Sequence, residues 1–496
     1  MCGIVVVHDP NGPDADLGHR MLERISHRGP DGSGSRLVGS TWLGHVRLSI
    51  VDLDAGAQPL PSGEGHWAVV NGEIYNHAEL REASARHFRT DSDSEAALAA
   101  AIVDDPEALG DLRGMFAFAV ADEHGRLVVA RDPVGVKPLY WARIGEATLF
   151  ASEIRAFDPE HRALVEAFPP GHRWTSDGDL HPFRALHVAG PELTDREQAV
   201  GMLRETLVTA VRRRMMADVP IGVFLSGGLD SSLVAAIMAR YRGDAHGPVH
   251  SFAAGTADSS DLAAARRVAE HLGLVHHERV YDADEVVDVL PEVVASIESY
   301  EPSLVRSAVP NYLLAEDAAR TVKVVLTGEG ADELFAGYDH YRDLPEANLR
   351  AELVRNVSSL HHLNLQRCDR VTMAHGLEAR VPFLDRDVVN LAARMPVEWL
   401  LPGVHGEEKA LLREAFAGWL PDDLLWRPKE QFGEGSGTAD VMSGRVDELV
   451  PETDWREQRV GSLPAPRSRE ELAYQRMFAE KLEGVPASLL GRFATE

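Results

Sequence analysis

Cysteine, positive charge and long apolar runs are all scarce in this chain of 496 residues. Only two cysteines are present, Cys2 and Cys368, so a disulfide scaffold is excluded and the reducing cytoplasm is the expected compartment. Lys and Arg number 50 against 78 Asp and Glu, which gives a formal net charge of −28. Because binding to nucleic-acid phosphates depends on Lys and Arg, nucleic acid is not an expected partner.

The apolar runs are too short for a membrane protein. No stretch approaches the roughly 20 apolar residues of a membrane span, and the run at residues 4–7 lacks the basic flank and the length of a signal-peptide core. We therefore expect no membrane association. Hydrophobic residues make up 44% and charged residues 26% of the chain, which is the balance of a globular protein with a sizeable core.

Residues 1–185 have the pattern of a β-rich α+β domain. Short apolar runs bounded by Gly, Pro, Asp and Asn predict strands at residues 3–7, 42–46, 66–70, 116–121, 127–130, 138–142 and 147–152. Two helical patterns, at residues 15–25 and 94–103, interrupt them. This layout favours a packed pair of sheets as the core, and a break without periodicity follows at residues 183–195.

An alternation of strands and helices after the break predicts a second domain, residues 195–496. Thr194, with Glu197 three residues later, forms a capping box that predicts the start of a helix. Buried strands are predicted at residues 221–225 and 322–326, and further strands at 249–254 and 275–280. Helices are predicted at 231–241, 261–272 and 310–320. The pattern indicates a parallel α/β sheet, and helices dominate after about residue 340.

The first candidate site is the thiol of Cys2, which directly follows the initiator Met. A small second residue favours removal of Met, which would leave Cys2 with a free α-amine. Such an amine, with a pKa of about 8, can act as general base for its own thiol. Position alone also allows a plainer interpretation, in which Cys2 is a small apolar residue that begins a strand.

Ordered motifs after Cys2 favour the catalytic interpretation. They are HRGPDGSG at 27–34, HVRLSIVD at 45–52, NGEIYN at 71–76, DSDSE at 91–95, LRGMFAFAVAD at 112–122, ARDPVGVKPLYW at 130–141 and FASEIRAF at 150–157. In these segments the chain resembles the class II glutamine amidotransferases. The resemblance implies an αββα sandwich of the N-terminal nucleophile type over most of residues 1–157.

The resemblance also implies how the first site works. Cys2 would attack the glutamine amide, giving a thioester and ammonia, while the Asn71 side chain and the Gly72 N–H stabilise the oxyanion. The residues that would bind glutamine are Arg47, Asn71, Glu73 and Asp93. Without the resemblance, Arg47 would be a charge at a strand edge and Asp93 a helix N-cap.

The second candidate site is the loop FLSGGLDSS at residues 224–232, between a buried strand and a helix. Its glycines let backbone N–H groups approach an anion, and a helix N-terminus favours negative charge. The loop lacks the Gly-Lys-Ser/Thr ending of a Walker A motif. It resembles the loop of ATP pyrophosphatases, which cut ATP between the α- and β-phosphates, although a plain strand–helix turn is the alternative.

By this resemblance a set of residues would contact ATP: Leu225, Ser226, Gly227, Gly228, Asp230, Ser231, Ser232, Ala254, Asp261, Thr327, Gly328 and Lys429. The segment LTGEGADELFAGY at 326–338 supplies the acids Glu329, Asp332 and Glu333. Asp230 and Asp332 would bind Mg²⁺, because hard oxygen ligands and phosphates suit that ion. Lys429 would stabilise phosphoryl charge and Glu329 would act as a base. A solvated helix N-terminus is the plainer interpretation of the acids, and a surface charge that of Lys429.

Later segments extend the resemblance over nearly the whole chain. DRVTMAHGLEARVPFLD at 369–385, RPKEQFGEG at 427–435 and SREELAYQRMFAEKL at 468–482 resemble the glutamine-dependent asparagine synthetases. That resemblance implies that ammonia from glutamine crosses an internal tunnel and displaces AMP from an acyl-adenylate. The implied cofactors are ATP and Mg²⁺, the partners are small molecules, and the assembly is a homodimer.

The acceptor acid remains open between aspartate and another carboxylic acid. The predicted acceptor residues are Ser303, Leu304, Arg306 and Glu329. In YEPSLVRS, at residues 300–307, Ser303 and Leu304 stand where the family has two Thr, so an amidotransferase of specialised metabolism is the alternative. A β-lactam-forming synthetase is disfavoured, since such relatives lack a working glutaminase and carry Tyr in place of Glu329. A non-catalytic binding protein would have eroded sites, and these are intact.

Overall fold

The computed structural model describes residues 2–84, 86–103, 106–186, 190–243, 247–401, 406–429, 435–451 and 453–493. Two antiparallel sheets come first along the chain, then one parallel sheet, then a region dominated by helices. Among the described residues, no helix has both the length and the apolar character that crossing a membrane requires.

The N-terminal part contains two six-stranded antiparallel sheets, with strand orders β10-β8-β9-β1-β3-β2 and β12-β11-β7-β6-β5-β4. Their strands are β1 (Gly3–His8), β2 (Gly32–Val38), β3 (Thr41–Arg47), β4 (Leu60–Pro61), β5 (His66–Ile74), β6 (Gly114–Asp122), β7 (Leu127–Arg131), β8 (Tyr140–Ile144), β9 (Ala147–Ala151), β10 (Glu166–Ala167), β11 (His172–Thr175) and β12 (Leu180–Pro182).

The two sheets pack face to face between two layers of helices. Successive residues of a strand point to opposite faces, so Ile4 of β1 packs with Val69 of β5 between the sheets, while Val5 packs with Met21 outside. The helices of this part are α1 (Ala15–Glu23), α2 (His77–Ala83), α3 (Ser94–Ile102) and α4 (Pro106–Gly110). The predicted αββα sandwich is confirmed.

Strand β2, which has seven residues, is the longest strand of the sandwich that the sequence did not predict. Its sequence, GSGSRLV, is almost entirely exposed, and only Val38 is buried. An edge strand made of small and polar residues has no apolar alternation to reveal it.

The third sheet has five parallel strands in the order β15-β14-β13-β16-β17. The strands are β13 (Ile221–Phe224), β14 (His250–Gly255), β15 (Val275–Val280), β16 (Val324–Leu326) and β17 (Glu378–Arg380). The first strand along the chain, β13, has β14 on one side and β16 on the other. In such sheets, ligands bind outside the carboxyl ends of the strands at this switch of direction.

Fourteen further described helices surround this sheet and form the C-terminal region. They are α5 (Arg196–Arg213), α6 (Leu229–Tyr241), α7 (Ser260–Leu272), α8 (Ala283–Ile297), α9 (Pro302–Ala318), α10 (Ala331–Leu334), α11 (Glu346–Ser359), α12 (Asn364–Met373), α13 (Arg386–Ala392), α14 (Val397–Leu400), α15 (Ala410–Ala415), α16 (Asp422–Leu425), α17 (Thr438–Leu449) and α18 (Arg469–Leu482). The predicted parallel sheet and helical C-terminal part are confirmed.

The start of α5 corrects one prediction. Asp195, not Thr194, is the N-cap, and its carboxylate accepts a hydrogen bond from the N–H of Gln198. Both residue types cap helices well. The carboxylate has the added advantage of a full negative charge at the positive end of the helix dipole.

Candidate active sites

Cys2 lies at the start of β1, inside the protein. Only 8% of the residue is exposed, and its backbone N–H donates to Oδ1 of Asn71 at 3.2 Å. The thiol donates to the carbonyl oxygen of Leu48 at 4.0 Å. Burial raises the pKa of the Cys2 thiol, so a nucleophilic role for it requires a base close by.

Asn71 and Gly72 lie side by side on β5, next to Cys2. The side-chain Nδ2 of Asn71 is buried and has no hydrogen-bond partner among the described residues, which is an expensive state for a donor. Gly72 has a φ of +145°, and a Cβ there would lie 2.0 Å from the carbonyl oxygen of Met115. An unpartnered amide donor beside a buried thiol is the arrangement that an oxyanion needs.

Two buried carboxylates, those of Glu73 and Asp93, lie near Cys2 and Asn71. The surroundings of the Cys2 thiol formed by these residues and Gly72 are called the thiol pocket. Asp93 precedes α3 without capping it through its side chain; its Oδ2 accepts instead from the N–H of Ile74 at 2.7 Å. Burial raises the pKa of Asp93 to about 6 and raises the pKa of Glu73 as well. A cation between them would offset the cost of ionising both.

Arg47 ends β3, one residue before Leu48. Its guanidinium donates to the carbonyl oxygens of Leu53 at 3.1 Å and of Asp52 at 2.6 Å. Within the described part of the chain its hydrogen bonds are to carbonyl oxygens and it forms no ion pair. Its charge is therefore available to an anion such as a carboxylate.

Arg380 and Glu378, which were not predicted as site residues, add a positive and a negative charge to the thiol pocket. Arg380, on β17, donates through Nε to Oε1 of Glu378 at 2.6 Å, and its Nη2 lies 3.4 Å from Oε1 of Glu73. Arg380 and Glu378 are both fully buried. The signal for them was the pair of opposite charges inside the apolar run LEARVPFL.

The Gly-rich loop turns directly from β13 into α6, whose N-cap is Gly228. Gly227 has a φ of +73°, and a Cβ there would lie 2.5 Å from the Cβ of Ala264. The hydroxyl of Ser231 donates to the carbonyl of Gly228 at 3.2 Å and accepts from the N–H of Ser226 at 3.3 Å. The loop thus has a fixed shape at a helix N-terminus, where an anion is favoured.

A cavity of about 420 Å³ opens at the carboxyl ends of β13 and β16. Thirteen predicted site residues line it: Leu225, Ser226, Gly228, Asp230, Ser231, Asp261, Ser303, Arg306, Thr327, Gly328, Glu329, Asp332 and Lys429. Four others are not part of its lining: Gly227, Ser232, Ala254 and Leu304. On β14 the lining residue is Ala253, because neighbouring residues of a strand face opposite ways.

Two lysines and two aspartates meet in the cavity. The Nζ of Lys409 lies 2.5 Å from Oδ2 of Asp230 and 2.7 Å from Oδ1 of Asp332, and Lys429 also contacts Asp332. Burial would raise the pKa of Asp332, but the two ammonium groups lower it overall. Lys409 was not predicted as a site residue, because a single lysine in GEEKALLREAF has no local pattern to mark it.

The aspartates fit a magnesium ion. Oδ1 of Asp230 is buried without a hydrogen-bond partner in the described structure, and both carboxylates face Lys409. No group of three or more His, Cys, Asp or Glu among the described residues is arranged to hold a metal by itself. An ion here would therefore take its remaining oxygen ligands from phosphates and water, which is how Mg²⁺ is usually bound.

Two more acids in the cavity hold protons readily. Burial raises the pKa of Glu329, whose carboxylate contacts Arg367. Burial also raises the pKa of Glu333 to about 7, and Glu333 accepts from the hydroxyl of Tyr338 at 2.7 Å. A group with a pKa of about 7, as Glu333 has, can exchange protons near neutral pH.

The predicted acceptor residues on α9 separate into two faces. Ser303 and Arg306 line the cavity, whereas Leu304 is fully buried in the hydrophobic core. The Arg306 guanidinium is bound by Glu470 of α18 through Nε at 3.0 Å and Nη2 at 2.8 Å. The side chain at position 304 therefore points away from the cavity, so that replacing a family Thr by Leu304 removes no hydroxyl from the cavity wall.

Asp261 lies in the cavity beside Arg427, whose Nη1 is 3.3 Å from Oδ1 of Asp261. A Cβ on Gly435 would lie 2.5 Å from the Asp261 carboxylate, so the two segments approach closely. Residues 430–434 of the predicted motif RPKEQFGEG lie outside the described residues.

The fold defines a class of protein: an αββα sandwich with a buried cysteine at the start of its first strand, joined to a parallel α/β sheet with a glycine-rich loop at a helix N-terminus. The family model described as asparagine synthase matches residues 202–348 and 344–488, and that of the glutamine amidotransferase domain matches residues 1–169. The chain belongs to the asparagine synthase family, and the predicted membership is confirmed.

Curated relatives match over almost the whole chain. Asparagine synthetase B [glutamine-hydrolyzing] of Escherichia coli (strain K12) is 38% identical over 509 residues, covering 97% of this chain and 91% of the relative. A probable asparagine synthetase [glutamine-hydrolyzing] of Schizosaccharomyces pombe is 37% identical, covering 97% and 93%. Asparagine synthetase [glutamine-hydrolyzing] 1 of Saccharomyces cerevisiae is 38% identical, covering 88% and 85%.

Proposed function

We propose that this chain is a glutamine-hydrolysing, ATP-dependent amide synthetase that converts L-aspartate, ATP and glutamine into L-asparagine, AMP, pyrophosphate and glutamate. The observation that carries the proposal is the cavity in which the phosphate loop, the lysine–aspartate cluster, Arg306 and Glu329 meet. Residues 1–185 would form the glutaminase domain and residues 195–496 the synthetase domain.

Glutamine hydrolysis would begin at Cys2. Removal of Met1 would turn the backbone nitrogen of Cys2 into an α-amine that takes the thiol proton. The thiolate then attacks the glutamine amide carbon, ammonia leaves, and water releases glutamate from the thioester. The unpartnered Nδ2 of Asn71 and the N–H of Gly72 would stabilise the oxyanion.

Glutamine itself would be held by its two charged ends. Arg47 would bind the α-carboxylate, since its guanidinium forms no ion pair in the described structure. Glu73 and Asp93 would bind the α-ammonium, whose charge offsets the cost of ionising two buried carboxylates.

Activation of the acid would take place in the cavity. The carboxylate of the acceptor attacks the α-phosphorus of ATP, and pyrophosphate leaves. Ser226, Ser231, Lys409 and Lys429 would hold the phosphates, and the lysines would balance the charge that develops on the leaving pyrophosphate. Asp230 and Asp332 would hold Mg²⁺, which supplies further neutralisation of phosphate charge.

Amide formation would follow at the same place. Ammonia attacks the acyl carbon, AMP leaves, and one proton must be taken from the nitrogen. Glu329 suits this step because burial raises its pKa, so that it accepts a proton more readily than an exposed glutamate. Arg367, which contacts Glu329, would fix its orientation.

A second candidate is the same reaction on a different carboxylic acid. The cavity continues along α9 beyond Arg306 to Ser307 and Asn311, and Phe493 is also part of its wall. An acid whose polar substituents lie further from the reacting carboxylate than those of aspartate would reach Ser307 and Asn311. The ligands would be small molecules, and neither nucleic acid nor a membrane would be a partner. We also propose that the protein is cytoplasmic and that it forms a homodimer.

An acceptor screen tests the proposal. The purified protein is given ATP, Mg²⁺, glutamine and one acid at a time, and pyrophosphate release and product mass are measured. We expect pyrophosphate with aspartate and a product with the mass of asparagine. Pyrophosphate with another acid alone would establish the second candidate, and none with any acid would refute the synthetase function.

A further inference from the structure

Glu298 occupies an unusual position between α8 and α9. It is a non-glycine residue with a φ of +51°, in the left-handed region that costs free energy for residues with a Cβ. It is also fully buried. A buried carboxylate in a strained backbone conformation is retained only where the surroundings hold it firmly.

The Glu298 carboxylate binds backbone atoms of the N-terminal sandwich. Its two oxygens accept from the N–H groups of Ile154 at 3.0 Å and Arg155 at 2.7 Å. These residues begin the 3₁₀ turn Ile154–Ala156, so the acid caps an element from across the interface. Arg370 of α12 adds an ion pair to Glu298 at 3.1 Å.

The capped segment is hydrogen-bonded to the strand that begins beside Cys2. The N–H of Ser152 donates to the carbonyl of Ile4 at 3.1 Å, and the N–H of Ile4 donates to the hydroxyl of Ser152 at 3.0 Å. Arg370 also donates to the carbonyl of Ser152 at 2.9 Å. Two residues of the C-terminal part thus hold the segment against which the nucleophile strand lies.

The same acid adjoins the other site. Helix α9 begins at Pro302, four residues after Glu298, and its residues Ser303 and Arg306 line the ATP cavity. Glu298, which is fully buried, therefore connects the segment beside β1, which begins next to Cys2, with helix α9, which lines the cavity.

We propose that Glu298 is a positioning residue that aligns the thiol pocket with the synthetase cavity. Because of this alignment, ammonia released at Cys2 reaches the acceptor and does not escape into solvent. This inference rests on the proposed function. Its consequence is that the Glu298 carboxylate controls how many glutamines are hydrolysed for each amide formed. Neither separate activity depends on it, because Glu298 touches no reacting atom.

Two substitutions separate this role from a structural one. Glu298→Gly and Glu298→Ala both remove the carboxylate, but only the alanine variant keeps the backbone strain, so it should unfold at a lower temperature. In both variants Arg370 keeps Glu153 as a partner at 3.2 Å, which limits the penalty of an unpaired buried charge. The control is Arg113→Ala, which breaks a half-exposed ion pair to Asp387 at the same interface.

The measured quantity is glutamate released per amide formed, beside the rate with free ammonium. We expect the ratio to rise by about three- to tenfold in both variants and equally, with ammonia-dependent synthesis within about twofold of the parent. The control should keep the parental ratio. If neither variant folds, Glu298→Gln, which retains one acceptor oxygen, is measured in the same way.

Three results would overturn the proposal: a parental ratio in both variants, a ratio that follows the unfolding temperature, or an equal loss of both activities. A parent protein that makes no amide from either nitrogen source is a different outcome. It would refute the proposed function first, and the role of Glu298 with it.

Discussion

In the thiol pocket and in the cavity, several polar side chains are buried without hydrogen-bond partners or with raised pKa values, both of which cost stability. Nδ2 of Asn71 and Oδ1 of Asp230 have no hydrogen-bond partner in the described structure, and burial raises the pKa values of Asp93, Glu329 and Glu333. Such groups concentrate at functional sites because binding and catalysis require them even though they destabilise the fold.

Asp93 predicts how glutamine use depends on pH. Burial raises its pKa to about 6, and only the ionised form attracts an α-ammonium, so the KM for glutamine should fall as pH rises from 5 to 7. The measurement is glutaminase kinetics across that range, and Asp93→Asn should lose the step centred near pH 6. A parental step in Asp93→Asn would assign the dependence to another group.

The same shift has a consequence for stability. The folded state holds the Asp93 proton up to about pH 6, whereas an unfolded aspartate loses it near pH 4. The contribution of this group to the free energy of unfolding therefore falls as pH rises from 4 to 6. Relative to the parent, Asp93→Asn should gain stability over that interval, as measured by its unfolding temperature.

Lys409 predicts a loss confined to the ATP-dependent step. Lys409→Met leaves Asp230 and Asp332 facing each other without their shared ammonium group, so pyrophosphate release should fall by about 100-fold. Glutaminase activity should stay near the parental value. Lys481→Met, at an exposed position at the end of α18, is the control, and equal effects of both substitutions would contradict the assignment.

At the scale of elements, local sequence patterns predicted the helices and strands whose positions depend on buried apolar side chains. Seven strands of the sandwich and four of the parallel sheet were predicted, most of them because their buried residues alternate or run continuously. The sandwich strands β2, β4, β10, β11 and β12, which are short or polar, were not predicted. Strand β17 was not predicted either, since three residues with two charges give no such pattern. Ala253 rather than Ala254 lines the cavity, a difference of one residue that depends on how β14 is turned.

The start of α5 gives a prediction at this scale. Asp195 caps the helix in the structure, so Asp195→Ala should lower the free energy of unfolding by about 1 kcal/mol. Thr194→Ala should change it by less than about 0.5 kcal/mol, because Thr194 only precedes the cap. Urea unfolding of the two variants beside the parent measures the difference, and the reverse order would restore Thr194 as the cap.

At the scale of the whole molecule, the residues missed by the sequence analysis are those that one part of the chain supplies to another. Arg380 and Glu378 reach the thiol pocket from β17. Lys409, the N-cap of α15, reaches Asp230 and Asp332 in the cavity. Their importance comes from contacts between residues far apart in sequence. Motifs revealed the residues within each loop, and only the tertiary structure revealed these partners.

The two sites predict two separable activities. Cys2→Ala should abolish amide formation from glutamine and leave amide formation from ammonium near the parental rate. Asp230→Asn should abolish pyrophosphate release and retain glutaminase activity. Product formation from each nitrogen source, measured on both variants, checks the division, and loss of both activities in Cys2→Ala would contradict it.

The Arg28 side chain holds the carbonyl of Cys2 at 3.0 Å and reaches Asp369, 341 residues further along the chain. At about 5–20 residues per second, a ribosome needs roughly 17–70 s to add that many residues. Arg380, the counter-charge of Glu73, is added later still. The thiol pocket therefore acquires its full set of charges late in translation, although Cys2 is the second residue to be made.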